Sequence, residues 1–121
     1  MLIDSSAIIH LLNGTLKGKE IEQYIAEITS TSAVCVHEVL SGATQSERST
    51  IADLFRGLEI LPFDCSAAQM SPEIKKRIIK AGKTIGELDV FIAATALAHN
   101  IPLLTTDKDF KNVEGLQVVL V

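Results

Sequence analysis

Several broad classes are excluded by what the sequence lacks. It has only two cysteines in 121 residues, Cys35 and Cys65, far apart and outside any metal-ligand spacing, so no His/Cys set for zinc exists. Each lies in an apolar, strand-like run, and both are expected to be reduced core residues. No apolar run approaches ~18 residues, so no membrane-spanning helix and no membrane partner are expected. No basic leader followed by an apolar stretch opens the chain, and the expected location is cytoplasmic. Neither GxxxxGK[ST] nor GxGxxG occurs, so no loop that cradles a nucleotide is indicated. Internal repeats, linkers and low-complexity segments are also missing. Positive charge is in deficit: 11 Lys and Arg against 15 Asp and Glu give a formal net charge of −4. Taken alone, that disfavours a phosphate-rich partner. The objection weakens if several of the acids gather around divalent cations, because they then face the ion rather than the ligand.

Apolar residues make up 47% of the chain, enough for one domain over residues 1–121 that buries a sheet on both faces. Met1-Leu2-Ile3 reads as a short buried strand with Asp4 at its end. Ser5 and Ser6 can cap a helix through Ala7-Ile8-Ile9 to Leu12, stopped by Asn13-Gly14. Ile21, Ile25 and Ile28 mark an amphipathic helix over Lys17–Ile28. Thr31–Val36 is rich in β-branched residues and predicts a strand, followed by a helix from His37 to Ala43. Ser46–Phe55 predicts a helix, and Leu58–Phe63 a strand whose Pro62 favours an edge position. Asp64 or Ser66 caps a helix reaching about Lys80, with Pro72 suggesting a kink or two pieces. Leu88–Ala98 is apolar nearly all round, which predicts the most buried helix. Asn100–Leu104 turns into a strand, Thr105–Phe110 is a polar loop or helix start, and Leu116–Val121 is a last strand. This alternation predicts an α/β chain with a three-layer, mainly parallel sheet.

Strand C-termini and helix N-termini share one edge of such a sheet, and ligands bind there. Asp4 ends the first strand, Glu38 follows the second, Asp89 opens the buried helix, and Asp107 and Asp109 follow the fourth strand. Asp and Glu are common in first helical turns for dipole reasons alone. Asp89, however, interrupts an apolar run, and Asp4 adjoins a central strand. Carboxylates crowded together repel, and hard divalent cations such as Mg²⁺ or Mn²⁺ compensate them. Such ions can activate a water for attack on a phosphodiester. The cluster of Lys75, Lys76, Arg77, Lys80 and Lys83 is either a solvated helix face or a contact for an anionic partner.

The blocks Leu2-Ile3-Asp4-Ser5-Ser6-Ala7-Ile8-Ile9, Val36-His37-Glu38-Val39-Leu40-Ser41-Gly42, Gly86-Glu87-Leu88-Asp89-Val90-Phe91-Ile92-Ala93-Ala94-Thr95-Ala96 and Leu103-Leu104-Thr105-Thr106-Asp107-Lys108-Asp109-Phe110 occur in the order of the PIN domain family. The chain resembles that family over essentially its whole length, and within it the VapC-type toxin ribonucleases of VapBC toxin–antitoxin pairs. The resemblance implies a five-stranded parallel sheet flanked by helices and cleavage of RNA dependent on Mg²⁺ or Mn²⁺. It implies catalytic and metal-binding roles for Asp4, Glu38 and Asp89. For the fourth acid, Asp107 and Asp109 both qualify. Ser6 and Thr105 match polar positions near the metal. The family dimerises and is held inactive by a small antitoxin protein, so a homodimer and an antitoxin partner are implied. RNA contact would fall to Lys75, Lys76, Arg77, Lys80, Lys83, Lys108 and Lys111, and His37 faces solvent or substrate. Other readings are a catalytically silent PIN scaffold serving as a binding module, and a nuclease of RNA processing or quality control outside a toxin–antitoxin pair. A phosphatase on a similar sheet is disfavoured, since Asp4-Ser5-Ser6 is not Asp-x-Asp.

Overall fold

The computed structural model describes residues 1–121 and contains one five-stranded parallel sheet. In chain order the elements are β1 (Leu2–Ile3), α1 (Ser5–Leu12), α2 (Leu16–Glu22), β2 (Ser30–Ser32), α3 (Ala33–Gly42), α4 (Arg48–Arg56), β3 (Glu59–Leu61), α5 (Cys65–Lys80), α6 (Glu87–Ala98), β4 (Leu103–Thr105) and β5 (Val118–Leu120). The strand order is β3-β2-β1-β4-β5. The chain builds outward from β1 to β3, then returns to place β4 on the other side of β1. The topological switch therefore lies between β1 and β4, where open parallel sheets bind ligands. Leu2 pairs with Leu103 and Ile3 with Leu104 across that junction.

Alternation along these short strands divides the core in two. Leu2 and Leu103 face a layer built by α5 and α6, with Ile74, Ile78, Ile92 and Ala96 buried beneath them. Ile3 and Leu104 face the other layer, with Ala7, Ile8, Ile21, Val39 and Ile51. Residues 92–96 of α6 are all buried, as the apolar run predicts. Ala93, Ala94 and Ala96 are buried in the same cluster as Leu2 and Leu103 of the sheet.

Local chemistry moves several boundaries. Asp4, rather than Ser5 or Ser6, caps α1: its Oδ1 accepts the Ala7 N–H at 3.0 Å. The strand expected over Thr31–Val36 ends at Ser32, whose Oγ accepts the Cys35 N–H at 3.0 Å and starts α3. Cys35 is consequently a buried helix residue, and Cys65 sits exposed in the first turn of α5, against its expected place in the core. The expected Lys17–Ile28 helix divides into α2 and a 3-10 turn at Ile25–Glu27. Pro72 lies within one helix rather than between two pieces. It cannot donate to the Ala68 carbonyl, and the Ser71 hydroxyl takes over that carbonyl at 3.1 Å. Pro62 follows β3, which is an edge strand as expected.

Candidate metal centre

Asp4 stands at the C-terminal end of β1, beside the switch, and is 2% exposed. Three donors hold it. Its Oδ1 accepts the Ser6 hydroxyl at 2.7 Å and the Ala7 N–H, and its Oδ2 accepts the Thr105 hydroxyl at 2.6 Å. The two hydroxyls are fixed in turn. Ser6 Oγ accepts the Thr106 hydroxyl at 2.8 Å and the Thr106 N–H at 3.3 Å, while Thr105 Oγ1 accepts the Asp107 N–H at 3.0 Å. The end of β1 is thereby laced to the loop leaving β4. A carboxylate offers about four lone-pair positions, so Asp4 keeps about one for a further ligand. Burial drives its pKa up, the Thr105, Ala7 and Ser6 donors oppose that rise, and the charge of Asp107 adds to it.

Asp89 sits in the first turn of α6 and is half-buried. Its carboxyl is pushed up to about 6, first by burial and then by the charges of Glu38, Asp107, Asp4 and Asp109. The structure thus places the other four acids within electrostatic reach of Asp89, although the five span about a hundred residues of sequence. Glu38, in the second turn of α3 rather than directly after a strand, accepts the Ser5 hydroxyl at 3.0 Å. Asp107 acts on both Asp4 and Asp89, and Asp109 on Asp89 alone, as its weakest neighbour. Asp107 therefore has the stronger electrostatic link to the other acids. Its Oδ1 accepts the Asp109 N–H at 2.9 Å, capping the 3-10 turn Lys108–Asn112. Gly86 leaves room here, since a Cβ at that position would come 3.2 Å from Asp89 Oδ2.

The donor chemistry, hard carboxylate oxygens with several negative charges on one rim, fits a divalent cation of the Mg²⁺ class. No three acidic, histidine or cysteine side chains are placed to close on one ion as they stand. The largest groove of the molecule lies elsewhere, lined by Ile3, Ile8, Leu11, Ile25, Ile28, Leu54 and Leu58, and it holds none of these acids.

The remaining sites differ in their engagement. Lys75 pairs with Glu87 at 2.6 Å, and Arg77 with Glu73 and Glu114 at 3.2 and 2.8 Å, so these two cations are partly committed to surface ion pairs. Lys76, Lys80 and Lys83 are exposed on and just after α5, and no ion pair holds them. Lys108 and Lys111 flank the acids in the 3-10 turn, and both are exposed. His37 is exposed beside Glu38. The hydroxyls of Ser5 and Thr106 escaped the sequence reading. The only cue for Thr106 was its place between Thr105 and Asp107, and none existed for the reach of Ser5 to Glu38.

The PIN domain family matches residues 1–116. Ribonuclease VapC of Rickettsia bellii is 31% identical over 128 aligned residues, covering 100% of this chain and 96% of that protein. Among solved structures, VapBC2 of Rickettsia felis bound to a promoter DNA fragment superposes with a TM-score of 0.84 at 22% identity, over 99% of this chain and 97% of that one. VapBC-5 of Mycobacterium tuberculosis, a member of the VapBC family of toxin–antitoxin systems, superposes with a TM-score of 0.77 at 26% identity, over 99% and 97% of the two chains.

Proposed function

The chain belongs to the PIN domain family, and from that premise we propose that it is an endoribonuclease, the toxin of a toxin–antitoxin pair, acting with Mg²⁺ or Mn²⁺. Its ribonuclease relative aligns over the full length of the chain, which supports the activity. The toxin–antitoxin assignment draws on the VapBC-5 likeness and brings with it a small antitoxin partner. No helix is long and apolar enough to cross a membrane, in keeping with a cytoplasmic site of action.

The observation that supports the metal dependence is the crowding around Asp89, where burial and four like charges push the carboxyl's pKa up to about 6. Divalent cations bound among these acids would offset that repulsion, polarise the scissile phosphate and acidify the attacking water. Asp4, pinned by three donors, offers a fixed oxygen at the switch point. Glu38, Asp89 and Asp107 would supply further carboxylates around it, and these can accept the proton of the attacking water. Lys108 and Lys111 would meet the RNA backbone beside the acids, with Lys76, Lys80 and Lys83 extending that contact, Lys75 and Arg77 contributing when released from their ion pairs, and a second copy completing a homodimer.

Purified protein incubated with structured and single-stranded RNA tests this. Cleavage in millimolar Mg²⁺ or Mn²⁺, stopped by chelator and absent in Asp4→Asn, is the expected result. Asp4→Asn cutting at the wild-type rate would refute the role given to Asp4, and a folded wild type that neither binds cation nor cuts RNA would identify a silent scaffold.

A further inference from the structure

The Glu38 carboxylate makes one side-chain hydrogen bond, from Ser5 Oγ at 3.0 Å, between residues 33 apart in sequence. Ser5 is the first residue of α1 and is 9% exposed. Its neighbours are occupied elsewhere: Asp4 caps the helix, and Ser6 holds Asp4 and receives Thr106. A hydroxyl in a first helical turn usually satisfies itself on nearby backbone. Ser5 instead gives its single proton to an acid on another helix, so the Asp4-Ser5-Ser6 turn fixes two of the rim's carboxylates, one through each serine.

We propose that Ser5 is a positioning residue: its hydroxyl holds Glu38 Oε1 so that the remaining carboxylate oxygen serves the rim shared with Asp4, Asp89 and Asp107. This rests on the cation-dependent nuclease reading above. A half-exposed glutamate with three rotatable side-chain bonds spreads over many rotamers when unheld, and only some of them reach the rim. A charge-assisted hydrogen bond is strong enough to bias that distribution about tenfold.

The test uses the full chain, with RNA cleavage kinetics and Mn²⁺ binding followed by electron paramagnetic resonance. Ser5→Ala should fold, lower kcat about tenfold with little change in KM, and weaken Mn²⁺ binding several-fold; Ser5→Thr should restore both. A bond that merely ties α1 to α3 would move the melting midpoint and leave kcat and Mn²⁺ affinity alone. Should Ser5→Ala not fold, Ser5→Thr against Ser5→Val makes the same comparison, since those two differ by a hydroxyl for a methyl. Ser5→Ala with wild-type kcat and Mn²⁺ affinity, alongside an inactive Glu38→Gln, overturns the positioning role and leaves the nuclease reading standing. Glu38→Gln as active as wild type takes Glu38 out of the site and overturns the positioning role with it, and a folded wild type that cuts no RNA overturns the nuclease reading.

Discussion

Replacing Asp89 by asparagine should abolish cleavage and at the same time make the metal-free protein more stable. The carboxyl is raised from 3.8 to about 6 by burial and by Glu38, Asp107, Asp4 and Asp109. Above pH 6 the folded protein holds a charge that the unfolded chain holds more easily. Between about pH 4 and 6 the folded state therefore binds more protons than the unfolded one, and stability is lost as pH rises through that window. A shift of this size corresponds to about 3 kcal/mol at neutral pH. The carboxyl is only half-buried, and solvent screening reduces this to about 1–2 kcal/mol. Asparagine keeps the shape and removes the charge. In chelator at pH 7.5, Asp89→Asn should melt roughly 5 °C above wild type. At pH 4.5 the two should converge, because wild-type Asp89 is then largely protonated. Millimolar Mn²⁺ should narrow the gap at pH 7.5 by stabilising wild type alone. Asp89→Asn melting below wild type in chelator at pH 7.5, or with an equal difference at both pH values, would refute the claim of crowded charge.

Other expectations follow from individual contacts. Gly18 packs α2 against α1 so tightly that a Cβ would lie 2.5 Å from the His10 carbonyl oxygen, and backbone cannot yield as a side chain can. Gly18→Ala should cost about 2 kcal/mol in a urea titration, and an unchanged midpoint would show that the helices separate freely. Asp107→Asn should lower cleavage about a hundredfold while Asp109→Asn lowers it less than about tenfold, because Asp107 acts on both Asp4 and Asp89 and ranks above Asp109 at Asp89; the reverse order would reassign the fourth acid. Lys108→Glu and Lys111→Glu should each weaken RNA binding and lower its salt slope by about one, and unaltered slopes would place the RNA elsewhere.

The grouping of the acids was more legible in the sequence than the helix and strand boundaries. Acids at strand ends are local signals, and a parallel sheet gathers those ends on one edge, so Asp4, Glu38, Asp89, Asp107 and Asp109 could be grouped before any coordinates. The edge placement of β3 was legible because proline cannot donate to a ladder. Val34-Cys35-Val36 misled because β-branched propensity pointed to a strand. One capping bond, from the Cys35 N–H to Ser32 Oγ, outweighed it and began α3 four residues early. Cys65 was expected in the core, yet the cap expected at Asp64 or Ser66 forms at Asp64, which accepts the Ala67 N–H and makes Cys65 the exposed start of α5. Pro72 signalled a break that the Ser71 hydroxyl repairs. The Ser5 to Glu38 bond and the contact that fixes Gly18 join segments through packing, and neither spacing nor residue type announces them.

Calorimetric titration of Mn²⁺ into the wild-type chain, Asp4→Asn and Asp89→Asn measures most directly whether these scattered carboxylates act as one centre. Saturable binding to wild type, lost or greatly weakened in both folded variants, is the predicted result. Heats that are the same for all three proteins would contradict it.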